Sequence, residues 1–169
     1  MIASATEIVS ALGYERDLVG RSHECDFPES VKDLPVTTKP RILTEGSSKE
    51  IDERVRKFRH EAVSVYHVFP DKLRELKPDI IITQTMCEVC AVSLSDVKRA
   101  LRELTDMEIE IVSLNPMTLD DIWDDIRRIG DAIGDPQQGR LVVIQLQKRM
   151  NAIIERAEKV EDKPGVASI

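Results

Sequence analysis

Leu76-Lys-Pro-Asp-Ile-Ile-Ile-Thr83 is the stretch on which the fold turns. Pro78 cannot continue a helix and pushes the residue before it away from helical angles, so the short helix opened at Pro70 stops at Lys77-Pro78. The run that follows, Asp79-Ile-Ile-Ile-Thr83, is apolar without alternation. A strand with one face in water alternates; a continuous apolar run belongs to a strand covered on both faces, as in parallel sheets flanked by helices.

The flanking segments support the same layered plan. After the loop Gln84–Val92, Ser93 or Ser95 caps a helix to about Leu104, and Glu108–Leu114 reads as a second strand with Ile109, Ile111 and Ser113 on one face. Thr118 caps a helix carrying Leu119, Ile122, Trp123, Ile126 and Ile129 at helical spacing, and Gly134 ends it. Trp123 falls on the apolar face and is expected in the core. Pro136 then opens a long helix to about Val160 whose apolar set is Val143, Leu146, Met150, Ile153, Ala157 and Val160. At a rise of 1.5 Å, roughly 24 residues span about 36 Å, the width of a small domain.

On the N-terminal side, Ser4-Ala-Thr-Glu7 has the pattern of a capping box opening a short helix that ends at Gly13. Leu18-Val19-Gly20 reads as a weak strand before the polar loop Arg21-Ser-His-Glu-Cys-Asp-Phe-Pro28. Pro28, Pro35 and Pro40 punctuate an irregular stretch around a short strand near Val36-Thr37. Ser48 to about Ala62 is a charged helix with Ile51, Val55 and Phe58 on one face. Helices and strands alternate throughout, which predicts an α/β fold: a three-layer, Rossmann-like lobe with a mainly parallel sheet, followed by a long backbone helix.

Composition narrows the function classes. The 169 residues suit one domain with a sizeable core. Against 31 acidic residues stand 24 Lys and Arg, a net charge of −7 with no basic stripe, which argues against a nucleic-acid partner. No apolar run approaches the roughly 18 residues of a membrane span. Met1-Ile2-Ala3-Ser4 has neither the basic region nor the apolar region of a signal peptide, so a cytoplasmic chain and one trimmed of its export signal are both expected alternatives. Cys25, Cys87 and Cys90 are too few for a disulfide framework and leave the redox compartment open.

In open parallel sheets, ligands bind beyond the C-terminal ends of the strands. The loop His23-Glu-Cys25-Asp-Phe27 follows the strand at Leu18, and the loop Met86-Cys87-Glu-Val-Cys90 follows the strand at Asp79, so both should open on one edge. His23, Cys25, Cys87 and Cys90 together offer four nitrogen and sulfur donors for a tetrahedral zinc or iron site. In a softer variant, His23 or a thiolate reaches the metal of a bound chelate. The plainer alternative makes the cysteines small half-buried loop residues, free or paired as Cys87–Cys90. Glu24, Asp26 and Glu88 read as solvated carboxylates and Arg21 as a surface arginine; His60 and His67 receive no role.

Ser4-Ala-Thr-Glu-Ile-Val, Leu12-Gly13, Val19-Gly20-Arg21-Ser-His-Glu-Cys-Asp-Phe-Pro28, Leu76-Lys-Pro-Asp-Ile-Ile-Ile82, Val112-Ser-Leu-Asn-Pro116 and the helix from Pro136 occur in one order. That ordered set resembles the first half of class III solute-binding proteins of ABC importers, which capture cobalamin, siderophores or haem. The resemblance implies a non-enzymatic role: an N-terminal ligand-binding lobe at 1–135, an interlobe helix at 136–160, and the first strand of a second lobe at 161–169. It also implies a strand before the Ser4 box, absent from this chain. The two strand-end loops would line the ligand cleft, with His23, Cys25, Asp26, Phe27, Met86 and Cys87 as contacts and Phe27 packing on the ligand. No resident cofactor is required; the ligand would be a corrinoid or iron chelate. The partners would be permease subunits, docked through a carboxylate at Asp71. The compartment would be periplasmic or surface-anchored. Without a covering lobe, the long helix should expose an apolar strip and favour a homodimer. Two alternatives accompany this reading: a thiol-disulfide oxidoreductase using Cys87 and Cys90, and an intracellular corrinoid or metal carrier or sensor.

Overall fold

A computed structural model of the chain describes residues 2–41, 45–60, 66–84, 98, 108–161 and 165. Among these, helix α1 spans Ala3–Ala11. Its N-cap is Ile2, extended at φ −143° and ψ 151°, and no side chain caps it. The capping box expected at Ser4 is therefore not formed: Ser4 lies inside the first turn, because burial of Ile2 in the core sets where the helix begins. Gly13 turns the chain out of the helix at φ +89°, a conformation that costs a side-chain-bearing residue but not glycine.

The strand expected at Leu18–Gly20 is absent as well. The segment is extended, but its pairing narrows to one parallel bridge between Arg21 and Val36. Arg21 N–H donates to Pro35 O at 2.9 Å, and Thr37 N–H donates to Arg21 O at 2.8 Å. The strand expected near Val36 forms slightly later, as β1 (Thr38–Pro40), antiparallel to β2 (Tyr66–Val68) with Thr38 opposite Val68. Between them lies the charged helix α2 (Ser48–His60). Helix α3 (Pro70–Leu76) ends where the proline argument places it, with Lys77 in the left-handed region at φ 47°.

Strand β3 (Ile80–Gln84) pairs in parallel with β4 (Glu110–Leu114), Ile80 opposite Glu110 and Gln84 opposite Leu114. Ile111 and Ser113 share one half-buried face of β4, as the sequence pattern suggests, and the more deeply buried face carries Val112 and Leu114. Both residues sit in one core cluster with Trp123, Ile126 and Ile129 of α4 (Leu119–Ile133), so docking of that helix decides which face is inside. The helix expected at 93–104 lies outside the described residues, apart from a helical position at 98.

The helix termini follow their local chemistry. At the start of α4, Asp121 N–H donates to Thr118 Oγ1 at 3.3 Å while Thr118 N–H donates to Asp121 Oδ2 at 2.7 Å, a reciprocal cap. Gly134 ends the helix at φ +89°. Helix α5 (Pro136–Glu158) is capped by Asp135, whose Oδ1 accepts from Gln138 N–H at 3.0 Å. Helices α4 and α5 meet at Gly130 and Gly139, so closely that a Cβ on Gly130 would lie 3.0 Å from Gly139 Cα. Val142 and Val143 of α5 complete the core. Leu146 and Met150 pack against that core and residues 151–158 are exposed throughout; Leu141, Ile144, Ile153 and Ile154, with Val160 just past the helix, present apolar side chains to solvent. Of the apolar set read along this helix from the sequence, Val143 is buried and Leu146 and Met150 pack on the core, while Ile153, Ala157 and Val160 are exposed. The strand expected at the C-terminus lies outside the described residues except for position 165.

Candidate functional site

The loop after the Arg21 bridge is built from its own backbone. Cys25 N–H donates to Ser22 O at 3.2 Å, and Glu24 N–H donates to Ser22 Oγ at 3.0 Å, closing a tight turn. Arg21 clamps that turn: Nη1 donates to Ser22 O and Cys25 O at 3.2 and 3.1 Å, and Nη2 donates to Lys32 O at 3.0 Å. The surface role expected for Arg21 is thus replaced by a structural one, since its guanidinium answers backbone carbonyls that the short loop leaves open.

The turn sorts its side chains. Cys25 points inward, is 1% exposed, and its Sγ accepts a hydrogen bond from Thr6 Oγ1 at 3.0 Å. Glu24, Asp26 and Phe27 face outward, and Phe27 is 64% exposed. His23 lies between these extremes. Its backbone N–H donates to Thr38 Oγ1 at 3.1 Å, and its ring Nδ1 lies 2.7 Å from the same oxygen. That leaves Nε2 unengaged by any described residue. The ring also stacks at a tilt on Tyr66, with centroids 5.3 Å apart. Tyr66 in turn donates its hydroxyl to Glu24 Oε1 at 3.0 Å.

These contacts tune the charges. Burial lowers the His23 pKa, opposed in part by Glu24, so the imidazole favours its neutral form. Burial, assisted by the bond to Glu24, pushes the Tyr66 hydroxyl up to about 12 and keeps it a donor at neutral pH. The result is a neutral imidazole and an exposed phenyl ring on one rigid turn. Such a surface can pack on a flat ligand and offer one nitrogen to a metal.

Of the residues expected at the site, His23, Cys25, Asp26 and Phe27 share this loop. Met86, Cys87 and Cys90 lie outside the described residues. Among the described residues no three His, Cys, Asp or Glu side chains form a group able to hold a metal. Asp71 sits in the first turn of α3, exposed, with Oδ1 2.8 Å from Arg74 Nη1. Sequence reasoning missed Thr38 and Tyr66, which orient His23 from β1 and β2. The available signal was slight: a threonine pair between two prolines, and a tyrosine beside a histidine.

No family model and no curated protein matches the chain. Solved structures do. A possible iron-binding, periplasmic solute-binding protein from Staphylococcus epidermidis superposes with a TM-score of 0.67 at 21% identity, over 96% of this chain and 51% of the other. The chain shares the fold of one half of such periplasmic binding proteins. The periplasmic haem-binding protein RhuT from a Roseiflexus species gives 0.64 at 21% identity, over 96% of this chain and 50% of its own. The periplasmic vitamin B12-binding protein BtuF of Vibrio cholerae gives 0.61 at 20% identity, over 94% and 49%. The lobe therefore spans about half the length of the structures it matches. No helix among its described residues is long and apolar enough to cross a membrane.

Proposed function

We propose that this lobe captures a metal chelate, a corrinoid or an iron chelate such as haem, as part of an extracytoplasmic substrate-binding protein that serves an ABC importer. The observation that carries the reading is the loop 22–27: a fold matched by haem-, B12- and iron-type binding proteins presents an exposed aromatic and a neutral, oriented imidazole on the turn that follows the Arg21–Val36 bridge. Phe27 packs on the ligand's flat face. With Nδ1 carrying the proton, Thr38 Oγ1 accepts it and Nε2 keeps its lone pair for the chelated metal. Asp26 lies at the rim of the same contact. Met86, Cys87 and Cys90, which lie outside the described residues, belong to the same contact in this reading, and their thiolates are the alternative donors, with His23, for zinc or iron. The role is binding, and no catalytic step is assigned.

Asp71 is the permease-facing carboxylate in this reading, and the apolar strip of α5 packs against a second lobe or a second copy of the chain. Titrating the protein with haemin, cobinamide and ferric chelates, followed by absorbance, tests the ligand assignment. His23→Ala should weaken the bound chelate by at least about tenfold and shift its ligation spectrum, while Phe27→Ala weakens binding without that shift. Equal affinities and spectra for wild type and His23→Ala would remove His23 from the site. Metal analysis of the purified protein separates the alternatives: zinc that disappears in Cys87→Ser marks the cysteines as the ligands. In a reconstituted importer, Asp71→Ala should slow transport at unchanged ligand affinity.

A further inference from the structure

Strands β1 and β2 form a two-stranded ribbon whose two faces differ. Residues directly opposite in an antiparallel pair share a face, as do residues two apart along a strand. Thr38 and Tyr66 therefore lie on one face, where they hold His23. Lys39 stands opposite His67 on the other face. With Pro40 and Arg41, these two residues line an open pocket of about 370 Å³.

An aromatic ring borders the same face. Phe69, two residues beyond His67, is fixed by its N–H, which donates to Thr37 O at 2.9 Å. Lys39 Nζ lies 5.6 Å from the centre of the Phe69 ring, and the His67 ring meets that ring edge-on with centroids 5.3 Å apart. The cation–π contact narrows the space in which the flexible lysine places its charge. Pro40 fixes its own φ and so stiffens the chain between the two cations.

Other surface cations have carboxylate partners. Lys32, Lys72 and Arg74 each meet one three residues away at 2.8 Å. Lys39 and Arg41 are both exposed, and neither forms an ion pair among the described residues. Glu24 reaches the ribbon through the Tyr66 hydroxyl, from the His23 face. At physiological ionic strength, charges farther away than about 8 Å are largely screened. The net charge of −7 thus counts for less inside the pocket than the cations that line it. Like charges side by side on a strand face repel, and an anion seated between them removes that repulsion.

We propose that the Lys39–Arg41 pocket binds inorganic phosphate or a soluble phosphate monoester. The donor set selects this class: an arginine fork takes two oxygens of a phosphate, and a lysine serves as a point charge on a third. A carboxylate has two oxygens and leaves one cation unmatched. A phosphodiester lipid headgroup also has two free oxygens, and a bilayer of such headgroups repels a chain at net −7. Because the pocket lies on the ribbon face away from His23, the site stands apart from the chelate reading.

Titrating the full chain with inorganic phosphate, at ionic strength held constant with sodium chloride, tests this. Phosphate should shift the amide NMR signals of Lys39, Arg41 and His67 saturably and raise the thermal midpoint, as a ligand of the native state does. Lys39→Gln combined with Arg41→Gln, at two exposed positions, should keep the fold and weaken phosphate binding by at least about tenfold, the loss expected for one charge-assisted hydrogen bond. Lys148→Gln combined with Arg149→Gln removes the same charge from α5 and should leave phosphate binding unchanged. Absence of a saturable response, equal affinity in the first variant, or an equal response to sodium acetate would overturn the proposal. So would binding to phosphatidylglycerol vesicles without a response to free phosphate, which would give the pocket to a membrane surface.

Discussion

Replacing Ile129 by alanine tests whether the junction of β4, α4 and α5 is the core on which the lobe stands. Ile129 is 0% exposed and belongs to one cluster with Val112, Leu114, Trp123, Ile126, Val142 and Val143. The substitution removes three carbons. At about 0.8 kcal/mol per buried methylene, the lost transfer free energy is about 2.4 kcal/mol. A cavity term adds to it, because neighbours held by two helices and a strand relax only partly, for a total of about 3–4 kcal/mol. Against a typical domain stability of about 5–15 kcal/mol, that is a large fraction. Trp123, the single tryptophan of the chain, reports on this same cluster, so urea unfolding followed by its fluorescence is the direct assay. With a slope of about 2 kcal/mol per molar urea, the midpoint should fall by about 1.5–2 M. Ile153→Ala is the control: the same chemistry on α5, at a residue 54% exposed, should change stability by no more than about 0.5 kcal/mol. Equal losses at the two positions would refute the assignment of the core.

Gly130→Ala should destabilise by about 1–2 kcal/mol, because the added Cβ meets Gly139 Cα at 3.0 Å and Asp135 O at 3.1 Å, and this overpacking exceeds the gain of up to about 1 kcal/mol in helix propensity; an unchanged thermal midpoint would contradict the close crossing. Thr118→Ala should cost about 1 kcal/mol by breaking the reciprocal cap with Asp121, and Thr118→Ser should restore most of it. His23 should titrate below its ordinary value of about 6.5 in the folded lobe, measured by the NMR shift of its ring protons. The unfolded chain then binds more protons between the two pKa values. Stability is therefore present in full above about pH 6.5 and is lost as pH falls through the folded pKa, and His23→Gln should flatten that part of the profile. A folded pKa above 6.5 would reverse the sign and refute the burial argument.

What the sequence determined by itself is what depends on neighbours within one helical turn. Pro70 and Lys77-Pro78 bound α3, Thr118 with Asp121 and Gly134 bound α4, and Pro136 opens α5, because caps, prolines and left-handed glycines act over three or four residues. The continuous apolar run at 79–83 likewise announced strand β3, whereas the strand expected before the loop 22–27 narrowed to a single bridge. Tertiary structure decided everything that rests on a distant partner. Burial of Ile2 overrode the Ser4 box, and α4 chose Val112 and Leu114 as the inner face of β4. Arg21 became a clamp because Lys32 O and the turn at Ser22 lie within its reach. Cys25 turned inward because Thr6, nineteen residues earlier, meets its sulfur. His23 gained its orientation from Thr38 and Tyr66, on strands that no local pattern ties to it. Short-range chemistry writes the elements; which side chains face outward at the candidate site is settled only when those elements pack.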